Sequence, residues 1–237
     1  MIGKNIAGTI GEAGRIYYYV NPEDLPLDLY EALCVLLPPE RIEQAERYRF
    51  LSNKKQSILG YTLLWFGAYE MFHTDIRSRP FRYCRYGKPY FEGEPGICFN
   101  ISHCNAGVAC AVGGSPVGVD VQDTIFRSSD IASCVLTEAE LREYQSHAIP
   151  QRYFTRIWAM KESWVKYSGD GLHQDFQSVD FSNSGDQLII SGRFLSVTER
   201  NGLCIAVCAA TFPWTFREVT IADLTRFLTR GEFSHDW

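Results

Sequence analysis

Gly118-Val-Asp-Val-Gln122 and, about forty residues on, Trp158-Ala-Met-Lys-Glu-Ser-Trp-Val-Lys166 decide how this chain is read. In the first run, Val117, Val119 and Val121 alternate with polar positions, so it predicts a strand with Asp120 and Gln122 on one face. The second predicts a helix on which Trp158, Glu162 and Lys166 recur every four residues and share a side. A carboxylate set among valines costs several kcal/mol unless a cation or donors sit beside it. An acid on a strand and an acid-plus-base helix face therefore suggest a site for a hard cation and a phosphate. The plainer alternatives are an Asp capping the turn at Asp123-Thr124 and a surface ion pair of about 0.3–0.5 kcal/mol between Glu162 and Lys166. Against the second stands the greasy setting of Met160, Trp164 and Val165 on the same helix.

The 237 residues suffice for one large domain or two small ones, with 46% hydrophobic and 22% charged residues. A net charge of -5 argues against non-specific binding to nucleic acid or to a membrane surface, both of which need a basic excess. No apolar run reaches membrane-spanning length, and the start, Met1-Ile-Gly-Lys-Asn-Ile, lacks a signal-peptide core. The eight cysteines form no CxxC pair, and several lie in strand-like runs such as Cys204-Ile-Ala-Val-Cys208. They are expected to be small buried hydrophobes in a reducing cytoplasm.

Along the chain, Ile16 to Val20 predicts a strand, Pro38-Pro-Glu-Arg opens a helix, and Ser52 to His73 predicts a longer one. The segment from Phe81 to Phe91 predicts a loop or hairpin. Strands follow at Ile97–Ile101 and Gly107–Val112, joined by a polar turn at Ser102-His-Cys-Asn105. Gly113-Gly-Ser-Pro116 makes a break. Beyond it come the strand Val117–Val121 and helices near 130–135, 137–144 and 152–169. Strands are then expected near Phe176–Phe181, Leu188–Gly192 and Leu203–Ala210. This order favours an α+β fold over a doubly wound one. The expectation is two similar α/β halves, residues 1–114 and 115–237, related by a pseudo-two-fold. Each would be a small antiparallel sheet packed on helices, with a cleft at the seam.

Ser102-His103 offers donors at a strand end, suited to a phosphate or to a simple turn. A hydrolase using the pair is weakly supported, because sequence neighbours seldom face each other as nucleophile and base and no Gly-x-Ser-x-Gly elbow is present. Tyr86-Gly-Lys-Pro89 puts a cation on a turn where backbone can approach a ligand. Neither a P-loop nor a GxGxxG occurs, against a nucleotide hydrolase or a dinucleotide oxidoreductase.

Taken in order, Tyr86-Gly-Lys-Pro89, Phe99-Asn-Ile-Ser-His103, Gly118-Val-Asp-Val-Gln122, Leu136-Thr-Glu138 and Trp158–Lys166 with Gly169-Asp-Gly-Leu172 resemble the 4′-phosphopantetheinyl transferase superfamily. The likeness is to its larger single-chain type and spans about residues 38 to 212. It implies coenzyme A in the cleft and transfer of the phosphopantetheine arm to a serine of an apo acyl or peptidyl carrier protein, releasing adenosine 3′,5′-bisphosphate. It also implies a Mg²⁺ held by Asp120, Gln122 and Glu162, with Lys166 on the diphosphate and Glu138 as general base for the carrier serine. Arg41, Lys88, Pro89, Ser102, His103, Asp120 and Lys166 would hold coenzyme A. The chemistry agrees, since Mg²⁺ takes a few carboxylates together with phosphate oxygens and waters, and phosphoryl transfer is largely positioning and charge neutralisation. The resemblance further implies a cytoplasmic monomer.

Two positions depart from the pattern. Gln122 stands where many relatives have glutamate, so an amide oxygen replaces a charged one and favours the alternative of a catalytically impaired coenzyme A-binding module. Gln44 and Gln56 stand where relatives often carry cations for the 3′-phosphate.

Overall fold

A computed structural model describes residues 12–92, 96–169 and 175–229. It is built of two four-stranded sheets, stacked and covered on their outer faces by helices. The first sheet has the order β10-β1-β5-β4, from β1 (Gly14–Val20), β4 (Cys98–Cys104), β5 (Gly107–Gly113) and β10 (Trp214–Glu218). The second has the order β6-β9-β8-β7, from β6 (Val117–Gln122), β7 (Gln187–Ile190), β8 (Arg193–Arg200) and β9 (Leu203–Ala209). A small hairpin, β2 (Phe81–Tyr83) and β3 (Pro89–Phe91), stands apart from both.

Strand alternation sorts each sheet's side chains into two cores. Tyr17 and Tyr19 of β1, with Val108, Cys110 and Val112 of β5, face α1 (Leu27–Leu36), α2 (Pro39–Glu46) and α3 (Leu51–Phe72). Ile16, Tyr18, Ala109 and Ala111 face the other way, onto Val119, Val121, Ile205 and Val207 of the second sheet. That sheet's remaining face, with Leu195, Ala206 and Cys208, packs under Phe154, Ile157 and Met160 of α6 (Pro150–Ser168). The short α4 (Ala132–Val135) and α5 (Glu138–Ser146) complete that layer. Apolar burial on this scale, at about 25 cal/mol per Å², supplies the main drive to fold.

Two elements from beyond residue 114 join the first half. β10 lies parallel to β1, and α7 (Ile221–Thr229) places Leu224 and Phe227 in the core around α3. The first sheet is therefore mixed rather than wholly antiparallel, which corrects the expectation of an antiparallel sheet in each half. The sheets also meet at their edges. Asn100 Oδ1 accepts the Val119 N–H at 2.8 Å and Ser102 Oγ accepts the Val121 N–H at 3.3 Å, so two side chains of β4 stand in for a backbone ladder to β6.

Three further expectations need correction. Ser102 and His103 are strand residues of β4, and the turn falls after Cys104. Residues Phe176–Phe181 form a 3-10 turn and loop instead of a strand. The eight cysteines are all free, yet only Cys110, Cys204 and Cys208 are fully buried, and Cys134 is exposed.

Candidate active site

α6 begins with Pro150 in its first turn and ends at Gly169, whose φ of 77° is the left-handed geometry that closes many helices. Its C-terminal half lies directly on β6 because residue 118 has no side chain. A Cβ at Gly118 would sit 2.1 Å from the Ser163 carbonyl oxygen and 2.3 Å from the Tyr167 nitrogen. Asp120 and Gln122, two and four residues on, share that strand face and so come under Glu162 and Lys166.

The Asp120 side chain is 1% exposed and fully bonded. Its Oδ1 accepts the Ser102 hydroxyl at 2.8 Å and the Lys166 ammonium at 2.5 Å, and its Oδ2 accepts the Gln122 amide N–H at 2.9 Å. Lys166 Nζ also donates to Ser102 Oγ at 2.9 Å and lies 4.0 Å from the Glu162 carboxylate. Both acids thus fall within reach of one ammonium. Burial pushes the Glu162 carboxyl above its ordinary pKa; the Lys166 charge opposes this and the Asp120 charge adds to it. His103, next along β4, is an exposed residue at the strand's end. The protein packed around it lowers its pKa, Lys166 adds to that effect and Asp120 opposes it.

This cluster opens onto a cavity of about 250 Å³ lined by Tyr86, Lys88, Pro89, Asn100, Glu162 and Lys166. Asn100 was missed in the sequence. Its signal is its place two residues before Ser102 on the same strand face. Among the described residues no group of three or more His, Cys, Asp or Glu could hold a metal ion. The oxygen donors gathered here are instead two carboxylates and an amide, beside an ammonium and a hydroxyl. Such a set can take a divalent cation together with a phosphorylated ligand.

The other expected residues lie elsewhere or point elsewhere. The Lys88 ammonium donates to the carbonyls of Val117, Lys166 and Tyr167 at 2.9, 2.6 and 3.2 Å, away from the cavity's polar cluster. Arg41, on α2, donates to Gln44 and to the Tyr83 hydroxyl, both at 2.8 Å, and stacks 4.0 Å from the centre of the Phe81 ring. It lines a separate cavity of about 280 Å³ with Arg77, Arg79 and Tyr61. Glu138 opens α5 with a side chain 89% exposed, and its carboxylate pairs with Arg142 rather than with any member of the Asp120 cluster. Asp170, Gly171 and Leu172 of the Gly169-Asp-Gly-Leu172 motif lie outside the described residues.

A buried pair that the sequence did not reveal joins α5 to α6. Lys161 and Glu140, both 0% exposed, are 2.9 Å apart. Lys161 also donates to the carbonyls of Phe176 and Val179, and Glu140 accepts the Phe181 N–H and caps α5 through Thr137. Every polar group of the pair is satisfied, which is the condition for tolerating buried charge.

Comparison with known proteins gives the family. The family model of the 4′-phosphopantetheinyl transferase superfamily matches residues 116–208, from the start of β6 to β9. A 4′-phosphopantetheinyl transferase of Bacillus subtilis is 30% identical over 153 residues, covering 63% of this chain and 68% of the relative. The 4′-phosphopantetheinyl transferase Sfp of Bacillus subtilis strain 168 is 27% identical over 226 residues, 89% of this chain and 99% of the relative. Among solved structures, a holo-[acyl-carrier-protein] synthase of Thermotoga maritima matches with a TM-score of 0.33 at 20% identity, over 40% of this chain and 62% of its own. On the sequence matches, this chain belongs to the 4′-phosphopantetheinyl transferase superfamily.

Proposed function

We propose that the protein transfers the 4′-phosphopantetheine arm of coenzyme A to a serine of an apo acyl or peptidyl carrier protein. The observation that carries this reading is the convergence of Asp120 and Glu162 on the Lys166 ammonium, beside a cavity that Glu162 and Lys166 line. The serine oxygen attacks the β-phosphorus of coenzyme A, the bond from that phosphorus to the bridging oxygen breaks, and adenosine 3′,5′-bisphosphate leaves. Asp120, Glu162 and the Gln122 amide oxygen would hold a Mg²⁺, and the fit is chemical: these are hard oxygen donors around a nearly dry carboxylate. A bound Mg²⁺ supplies neutralisation of charge on the diphosphate.

The chain's own side chains do the rest. Lys166 offsets charge on the leaving oxygen. Ser102 orients Asp120 and, with His103, faces the diphosphate, while Lys88 and Pro89 line the coenzyme cavity. Arg41 is a candidate for the 3′-phosphate. Glu138, open on the first turn of α5, would take the serine proton once a carrier has docked. The cleft would lie between two halves related by a pseudo-two-fold, the chain passing from one to the other near residue 114 and β10 and α7 returning to the first, in a cytoplasmic monomer. No helix among the described residues is long and apolar enough to cross a membrane.

The test is incubation of the folded protein with coenzyme A, Mg²⁺ and a panel of apo carriers, read by intact mass. Addition of the arm to a carrier serine is expected. No addition to any carrier contradicts the reading.

A further inference from the structure

Lys88 occupies the Tyr86-Gly-Lys-Pro89 turn, where a lysine holding coenzyme A is expected, yet its ammonium has no donor to spare. An ammonium carries three N–H donors. All three meet backbone carbonyls, those of Val117, Lys166 and Tyr167. Val117 is the first residue of β6, and Lys166 and Tyr167 belong to the last turn of α6. Carbonyls in a helix's last turn have no partner within the helix and carry the negative end of its dipole, so a cation placed there satisfies both needs. The stem of Lys88 is held as well: a Cβ at Gly169 would lie 3.4 Å from Lys88 Cδ, and Cys84 Sγ approaches the Gly169 carbonyl at 3.8 Å. The turn therefore clasps the end of α6 from outside.

The geometry points to Lys88 as a positioning residue that fixes the last turn of α6 against β6 and so sets Lys166 on Asp120, instead of contacting coenzyme A phosphates itself. The bond to the Lys166 carbonyl is made to the very residue whose side chain reaches Asp120 at 2.5 Å. The inference rests on the transferase reading for what Lys166 does there, but the contacts of Lys88 can be tested without turnover.

Acetylation of the folded wild-type protein, read residue by residue by mass spectrometry, is that test. Lys88 should label at least tenfold more slowly than in the unfolded chain, and saturating coenzyme A should change its rate less than twofold. Rapid labelling that coenzyme A suppresses would overturn the inference and return Lys88 to the ligand. In turnover, Lys88→Met should lower kcat by about 10- to 100-fold, as displacements of catalytic groups do, with KM for coenzyme A within threefold. In a Lys166→Ala background it should lower kcat no further. A rise in KM of tenfold or more with kcat unchanged, or a full additive loss in the double variant, would overturn it. Loss of all activity in every preparation of a carrier-competent protein would sink the transferase reading while leaving the labelling result standing.

Discussion

The Asp120 carboxylate and the Lys166 ammonium, 46 residues apart in the chain, lie 2.5 Å from each other, and Asp120 is 1% exposed. This pair joins the edge strand of the second sheet to the helix above it and brings the donors of two motifs to one point. Asp120→Asn keeps the shape and the Ser102 contact but removes the charge. Turnover should fall about 10²- to 10³-fold, the usual cost of losing one electrostatic partner of the transition state. Stability should fall by about 1–3 kcal/mol, since Lys166 is left part-buried with Glu162, 4.0 Å away, as its remaining acidic partner. Steady-state kinetics and urea denaturation read the two effects separately.

Gln122 donates to Asp120 at 2.9 Å, a contact that a carboxylate could not make. Gln122→Glu should therefore have opposite effects in two states. Without metal, two facing carboxylates repel, and the variant should melt about 1 kcal/mol less stable. With Mg²⁺ it should bind the ion roughly tenfold more tightly through the added charge. Melting curves with EDTA and with Mg²⁺ give both numbers, and a variant less stable in both conditions argues against Gln122 as a metal ligand.

Gly118 is the contact on which α6 rests. With a Cβ there at 2.1 Å from the Ser163 oxygen, Gly118→Ala must lift the helix that carries Glu162 and Lys166. The expected outcome is destabilisation of about 1–3 kcal/mol by overpacking and a drop in kcat larger than the loss of folded protein explains. Circular dichroism beside active-site titration distinguishes the two.

Alkaline pH should weaken the fold over a defined window. Burial pushes the thiols of Cys204 and Cys208 from 9.0 to about 12 and Cys104 to about 11, and the Tyr17 hydroxyl from 10.0 to about 12. Raised folded-state values favour the protonated forms, so this contribution is complete below about pH 9 and is lost as pH climbs towards 12. The urea midpoint should hold steady to about pH 9 and then fall. In Cys204→Ala the fall should be shallower.

Much of this arrangement was legible in the chain. The valine alternation around Asp120 and the four-residue spacing of Glu162 and Lys166 fix both faces of the site before any packing is known. What escaped depends on contacts distant in sequence. Val179 and Phe181 flank Asp180 as they would in a strand, but the backbone groups of Phe176, Val179 and Phe181 that would form a ladder are held by Lys161 and Glu140 instead. Ser102 looked like a turn residue because its partner, the Val121 N–H, belongs to another sheet. β10 has no local signal for its place, since its ladder partner is β1 at the other end of the chain.

The most direct test is a Mn²⁺ titration, followed by electron paramagnetic resonance, with coenzyme A present and each acid replaced in turn. The convergence of Asp120 and Glu162 predicts one ion bound per wild-type chain and binding at least tenfold weaker in both Asp120→Asn and Glu162→Gln. Unchanged affinity in either variant would contradict a shared metal site.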